Sequence, residues 1–217
     1  MNFREVLHLL IAVLVISLVI SFPNLITSNW QAVPISFLFA FLIIGFNVFA
    51  KKAMAYSLDS NVEHSLWGFS KWGFLKQQHF NQEFPAGIFV PLFSAIFLSL
   101  FSLERIFVLP ILTYEAVALK TRAAKRFGYY SYTTLSEWHN SLIGAAGIVA
   151  VLLLSLIAYF LPFGWGELSR AAAFFAFFNL LPISKLDGTQ IFFGSRVLWS
   201  ILFAISFIFV AFAAFAI

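Results

Sequence analysis

The sequence predicts an all-α integral membrane protein with about six to seven transmembrane helices. Of its 217 residues, 62% are hydrophobic and only 10% are charged, whereas soluble domains carry about 25% charged residues. The mean hydropathy is +0.95, and the apolar runs lack the alternating pattern of a lipid-facing β-barrel. A surface so poor in charge has to be solvated by lipid.

Five apolar runs are long enough to cross a bilayer as helices, which takes about 20 residues. In chain order they are Val6–Ile26, Val33–Ala50, Phe84–Leu103, Ser141–Phe163 and Val197–Ile217. The first run lacks the small-residue cleavage site of a signal peptide, so we expect a membrane helix there. Two shorter runs are weaker candidates: Ile106–Leu119, which contains Pro110 and Glu115, and Ala171–Leu181, which is followed by Pro182.

The distribution of basic residues predicts the orientation of the chain. If all seven runs cross and the N-terminus is cytoplasmic, all of the 13 Lys and Arg residues except Arg105 and Arg170 lie on the cytoplasmic side. Without a crossing at Ile106–Leu119, the basic cluster Lys120–Arg126 would change sides and the asymmetry would largely vanish. The sequence therefore predicts a multi-pass protein with a cytoplasmic N-terminus, in which Ile106–Leu119 crosses or nearly crosses.

The segment Asn61–Glu83 has a different composition. Trp67, Trp72 and Phe74 stand among lysines and two histidines, a mixture that suits the headgroup layer. We expect an interfacial segment on the cytoplasmic side, within a single membrane domain of residues 1–217. The chain has no cysteine and a net charge of +4, so it offers no thiolate site and gives no reason to expect a nucleic-acid partner.

The stretch NLLPISKLDG, Asn179–Gly188, places Asp187 at the edge of very apolar sequence. Ionisable residues at membrane depth are costly and by default indicate function. A purely local role is also available, because Gln190 three residues later completes the pattern of a capping box, and Asp-Gly is a common turn pair. A functional role for Asp187 would require a partner, either a cation or a metal.

Lys51 and Lys52 follow the apolar run FLFAFLIIGFNVFA. One interpretation is that both lysines anchor the helix end by extending to the membrane surface. The other begins from Asn47 and Lys51, which are four residues apart and therefore share one helix face. That face is predicted to lie at the depth of Asp187, so Lys51 is a candidate partner for the carboxylate.

The remaining ionisable residues give weaker signals. The four histidines show neither helical pair spacing nor an HExxH motif, so we expect polar interfacial residues rather than zinc ligands; they are His8, His64, His79 and His139. Glu115, next to Tyr114, either lines a wet cavity or lies near the membrane surface.

The stretch NLLPISKLDGTQIFFGSRVLW resembles the C-terminal motif of the site-2 proteases, a family of intramembrane zinc metalloproteases. The resemblance is greatest to the small archaeal-type members of that family. The family pattern Asn-x-x-Pro-x-x-x-x-Asp-Gly is matched by Asn179, Pro182, Asp187 and Gly188. The resemblance implies a site-2-protease-like core in which Asp187 stands at the position of the third zinc ligand. It also implies that Asn179 and Pro182 shape a groove for a transmembrane segment.

A weaker resemblance covers GFNVFAKKAMAYSLDSNVEHSLW, which is similar to the family region that carries HExxH. In that register Asn47, Val48 and Lys51 stand at the positions of the first His, the Glu and the second His. Other family-like positions fall on Lys52, Ala55, Glu63 and Trp67, and NSLIGAAGIVAVLL is similar to a further family helix.

The departure from the family lies in the missing HExxH motif, which occurs nowhere in this chain. The family holds zinc with two His and one Asp, and the Glu acts as general base on the zinc-bound water. We therefore hypothesise that an ion pair between Lys51 and Asp187, with Asn47 beside it, replaces the metal centre of this vestigial active site.

Three functions are compatible with these features. The first is a site-2-protease-like protein without catalytic activity or cofactor, which binds or regulates transmembrane segments of other proteins in a prokaryotic cell membrane. The second is an active intramembrane zinc metalloprotease with relocated ligands, drawn from His64, His79 or His139. The third is a small transporter or channel-like protein with Glu115, Asp187 and Lys51 along its pathway. The missing HExxH favours a protein that is not an enzyme.

Overall fold

The computed structural model describes residues 2–26, 28–71, 79–101, 106–119, 135–161 and 164–215, and this part of the chain is mostly helical. Its α-helices are α1 (Phe3–Ile26), α2 (Val33–Ser57), α3 (Ala86–Leu100), α4 (Glu137–Phe160), α5 (Gly166–Asn179), α6 (Asp187–Gly194) and α7 (Arg196–Phe215). Its strands are β1 (Ser60–Leu66), β2 (Phe69–Lys71), β3 (His79–Phe84) and β4 (Leu112–Ala118). The strands form two antiparallel pairs, β1 with β4 and β2 with β3.

Four helical stretches are long and apolar enough to cross a membrane, and each coincides with a predicted apolar run. They are Phe3–Ile26, Trp30–Ser57, Glu137–Phe160 and Arg196–Phe215. The second begins with a short 3₁₀ turn and has Pro34 in the first turn of α2, where its missing N–H costs no hydrogen bond. The run Phe84–Leu103 yields the shorter α3, whose 15 residues extend about 22 Å. The predicted count of six to seven such helices is therefore not reached within the described residues.

Helix α5 lies inside the molecule rather than on its surface. Most of its side chains are buried, including Ala171, Ala172 and Ala176, and such small residues let neighbouring helices approach closely. Ser155 of α4 and Ser169 of α5 each donate a hydrogen bond of 2.8 Å to the other's carbonyl oxygen. The run Ala171–Leu181 is thus helical, but the helix begins earlier, at Gly166, ends at Asn179 and has only 14 residues, so its crossing of a membrane stays a prediction.

The prediction of an all-α chain is wrong at Ile106–Leu119. Residues 106–111 are extended, and β4 follows, paired with β1. Pro110 cannot donate a helical hydrogen bond, and the neighbouring β-branched residues favour an extended chain. Ile106 lies near Pro23 at the end of α1, so this segment returns the chain towards β1, beside the start of α1.

The extended segment at residues 106–111 is shielded by the rest of the fold. Leu109 and Ile111 have no exposed surface. The carbonyl of Leu109 accepts from the Asn179 side chain at 2.9 Å, and that of Ile111 accepts from the Trp67 backbone N–H at 2.8 Å. Non-helical backbone at membrane depth requires this kind of enclosure, because lipid offers no hydrogen bonds.

The interfacial location of Asn61–Glu83 stays a prediction, and the structure adds that much of this segment forms strands. In β1 burial alternates, so that Val62 and His64 face inward and Glu63 faces outward, as expected for a half-buried strand. Trp67 is buried, with its ring centroid 4.9 Å from that of Phe69, rather than exposed to headgroups. The predicted interfacial Trp72 and Phe74 lie outside the described residues.

Candidate functional site

The structure brings Lys51 of α2 together with Asp187 of α6. The Lys51 Nζ lies 2.6 Å from the Asp187 Oδ2, and the two side chains are 0% and 2% exposed. The predicted ion pair is therefore present. A pair so fully removed from water is stable only as a pair, because a single buried charge is very costly.

The loop between α5 and α6 positions the carboxylate. After α5 the chain turns through Ser184, which has a positive φ of 54°, and α6 begins at Asp187. A Cβ atom on Gly188 would lie 1.9 Å from the carbonyl oxygen of Leu180, far inside contact distance. Glycine at position 188 thus lets the start of α6 pack directly on the end of α5, which places Asp187 inside the fold.

The capping-box interpretation of Asp187 is wrong. Leu186 is the N-cap residue of α6, and no side chain caps this helix. Gln190 is engaged elsewhere: it donates to the carbonyl of Tyr114 and accepts from the side chain of Asn140, each at 2.8 Å. Asp187 lies in the first turn of α6, where the helix dipole favours a carboxylate, and its direct partner is Lys51.

Helix α4 and strand β4 enclose the ammonium group of Lys51. A Cβ on Gly147 of α4 would lie 2.6 Å from Lys51 Cε and 2.9 Å from Asn47 Nδ2, so this glycine makes room for both side chains. The Lys51 Nζ also lies 4.7 Å from the centre of the Tyr114 ring, within cation–π range.

Burial controls the protonation of the groups around Lys51. It raises the pKa of Tyr114 well above its usual value, so the phenol stays neutral and donates to the Asn140 carbonyl at 2.7 Å. Burial also raises the pKa of Asp187, and the adjacent Lys51 ammonium opposes that rise. The charged form of Asp187 therefore depends on Lys51.

The other predicted site residues occupy different surroundings. Asn47 is fully buried beside Lys51, and within the described part of the chain neither of its amide atoms has a hydrogen-bond partner. Val48 lines an apolar groove between α1 and α2. Asn179 donates to the carbonyls of Leu109 and Phe175 and so holds the extended segment, whereas Pro182 is exposed in the loop.

A second buried charged cluster lies next to the first and was missed by the sequence reasoning. The Glu5 Oε1 lies 2.7 Å from the Lys52 Nζ and 3.1 Å from the His64 Nδ1. Lys52, 33% exposed along its side chain, therefore pairs with Glu5 instead of only anchoring the helix end. The alternating pattern in NVEHSL is the sequence signal that could have predicted an inward-facing His64.

His64 is buried within the fold, and its interfacial depth stays a prediction. Burial, with a smaller contribution from the charge of Lys51, lowers its pKa to about 3, so the ring is neutral. Because the Nδ1 faces a carboxylate oxygen, Nδ1 carries the proton. His8 is half-buried on α1, and His139 contacts Ser136 at the start of α4. The side chain of His79 lies outside the described part.

The described residues do not assemble the alternative sites. Among them, no three His, Asp or Glu side chains meet in a way that would hold a metal ion. Glu115 is exposed on β4, on the face opposite to Tyr114, and Tyr114 is the residue that covers Lys51. Glu115 and the Lys51–Asp187 pair therefore do not line a common pathway.

Comparisons with protein-family models, with curated proteins and with solved structures find no match to this chain.

Proposed function

We propose that this chain is a non-catalytic, site-2-protease-like membrane protein, in which the Lys51–Asp187 ion pair replaces the metal centre. It binds or regulates transmembrane segments of partner proteins. The observation that carries the proposal is the contact of 2.6 Å between two fully buried charged groups. An ammonium group has no lone pair to offer a metal, and Asp187 alone supplies one ligand where a catalytic zinc takes three from the protein.

The position of Val48 adds to this proposal. In the proposed register Val48 stands where the family has its general base, and a valine side chain cannot accept a proton. Val48 instead lines the apolar groove between α1 and α2. This groove is a candidate surface for a transmembrane partner, because its apolar walls can pack closely against an apolar helix.

The metal content of the purified full-length chain tests the proposal. The wild type is expected to contain no stoichiometric zinc, and the variant Asn47→His/Val48→Glu/Lys51→His is expected to bind about one zinc per chain, because it restores the three ligand positions. One tight zinc in the wild type, removable by a chelator with loss of cleavage, would contradict the proposal and favour the metalloprotease with relocated ligands.

Two matched variants sharpen the result. Asn47→His/Lys51→His keeps Val48 and should bind zinc without any cleavage activity. Adding Asp187→Asn to this variant should abolish binding, because it removes the third ligand. Cobalt(II) provides a second readout, since its visible spectrum reports tetrahedral coordination. If the triple variant folds by circular dichroism and yet binds neither metal, the assigned register is incorrect.

Partner binding needs its own experiment. A photo-crosslinker at Val48 is expected to give a discrete adduct with a transmembrane segment in the native membrane, and one at the exposed Phe215 on α7 serves as the control. Equal adduct patterns at both positions would indicate nonspecific contact and would refute a partner site in this groove.

A further inference from the structure

A polar pocket of about 650 Å³ lies between the start of α1 and the β1–β4 pair. Its walls include charged or titratable side chains from both sides: Arg4, Glu5, His8, Glu63, His64 and Glu115. Its volume is typical of a small-molecule site. The pocket is distinct from the Lys51–Asp187 pair and has no role in the proposed function.

The exposed charges of the two walls differ in sign, whereas the buried Glu5 on the α1 wall is already paired with Lys52. Glu63 of β1 and Glu115 of β4 are directly opposite in the register and are both exposed. Like charges in such a cross-strand position repel, so the pair favours a cation between them. The Glu63 Oε1 already accepts from the Asn2 side chain at 2.7 Å, which leaves the Glu63 Oε2 and the Glu115 carboxylate for that cation. Arg4 stands on the α1 wall, and within the described residues neither Arg4 nor Glu115 has an ion-pair partner.

Buried polar groups stand beside these charges in the lining. Glu5 and His64 are 3% and 2% exposed. The His64 Nδ1 faces Glu5, so the Nε2 carries the lone pair, and it is buried without a hydrogen-bond partner in the part of the chain that the structure describes. Because this atom has no exposed surface, ligand contacts in the pocket fall to the exposed side chains Arg4, Glu63 and Glu115.

The position of the pocket indicates which kind of ligand can reach it. It lies at the end of the molecule where α1 begins and α2 ends, because Glu5 and Lys52 meet there. If these two helices cross a bilayer, that end is at the level of the lipid headgroups. A ligand that carries both a cationic and an anionic group matches the charges of the lining and the location.

We propose that this pocket binds the phosphoethanolamine group, with its ammonium between Glu63 and Glu115 and its phosphate at Arg4. The group reaches the site either as the head of a phospholipid or as a free compound. A choline head would bind less well, because its trimethylated nitrogen is larger and donates no hydrogen bonds to the carboxylates.

Native mass spectrometry of the full chain in detergent micelles tests this proposal. The probes are phosphatidylethanolamine and phosphatidylcholine with identical acyl chains. The wild type is expected to retain about threefold or more phosphatidylethanolamine than phosphatidylcholine. A preference of this size is what the attraction within an exposed charge pair can supply. Glu63→Gln/Glu115→Gln should equalise the two lipids, and Arg4→Gln should weaken both.

The controls are Glu167→Gln and Arg196→Gln, which remove exposed charges elsewhere and should keep the wild-type preference. Free O-phosphoethanolamine distinguishes the phospholipid from the free compound as the ligand. If it raises the unfolding temperature and competes with the lipid, the site takes the soluble compound. If only the lipid binds, the site is a lipid site. Equal retention of both lipids by the wild type, or an unchanged preference in the double Gln variant, would overturn the proposal.

Discussion

At the scale of single residues, the ion pair of Lys51 and Asp187 makes the clearest prediction. Lys51→Met leaves the buried carboxylate without a cation and is expected to lower the free energy of unfolding by about 3–5 kcal/mol. Lys51→Met/Asp187→Leu should recover most of that loss, because apolar residues replace a buried ion pair at little cost. Unfolding in mixed micelles, followed by tryptophan fluorescence, measures both. If Lys51→Met is as stable as Lys51→Met/Asp187→Leu, the two charges are not coupled.

His64 makes the molecule sensitive to acid. The folded chain keeps this ring neutral down to a pH of about 3, whereas in the unfolded chain it takes up a proton near pH 6.5. Between these values the unfolded state binds the extra proton, so stability should fall as the pH falls, by up to about 1.4 kcal/mol per pH unit. Above pH 7 the contribution of His64 should be constant.

The pH dependence of the unfolding free energy checks this prediction in the wild type and in His64→Phe. The variant should show a shallower slope between pH 6.5 and pH 4, because its aromatic ring does not titrate. Glu5, Lys52 and Lys51 remain in the variant, but Glu5 loses its hydrogen bond to the imidazole, so the difference in slope reports the ring together with that bond. An identical slope in both proteins would assign the acid sensitivity to other groups.

At the scale of elements, close packing depends on glycines that contact a neighbouring backbone or side chain. In Gly188→Ala the new methyl would collide with the Leu180 carbonyl at 1.9 Å, so α6 has to move, and we expect a loss of about 1–3 kcal/mol or more. Gly45→Ala in α2 is the matched control, since its Cβ would have no atom within 4 Å. That control should stabilise the helix by about 0.5–1 kcal/mol. Thermal unfolding of both variants tests the contrast, and equal effects would contradict it.

The sequence predicted the elements whose cause is local and missed those whose cause is tertiary. Long uncharged runs give helices wherever they occur, so α1, α2, α4 and α7 were predictable. The extended segment at residues 106–111 was not, because its carbonyls are satisfied by Asn179, about seventy positions further along the chain, and no local pattern reports such a partner.

The same distinction applies to the charged groups. The Lys51–Asp187 pair was predictable from the expected depth of the two residues together with the motif resemblance, which places both of them at ligand positions of one site. The contact of Glu5 with His64 joins residues 59 positions apart and depends on how β1 lies against the first turn of α1. Glu5 resembles an ordinary acidic residue at a helix start, so its burial could not be read from the sequence.

At the scale of the whole molecule, the chain runs repeatedly between two ends. The starts of α1, α4 and α6 and the end of α2 meet around the charged clusters. The start of α5 lies at the other end, where Trp165 packs against Phe39 near the start of α2 with ring centroids 5.8 Å apart. The end with the charged clusters also carries most of the described lysines and arginines, which predicts that it faces the cytoplasm.

Cysteine labelling tests this orientation, and the chain suits the method because it contains no native cysteine. Ser57→Cys and Lys185→Cys place exposed thiols at the end with the charged clusters, and Asn29→Cys and Glu167→Cys place them at the opposite end. A membrane-impermeant thiol reagent should label the first two only in inverted vesicles and the last two only in right-side-out vesicles. Solubilised protein, in which all four should react, controls for accessibility. Labelling of Ser57→Cys and Asn29→Cys from the same side would mean that α2 does not cross, because these residues stand at its two ends.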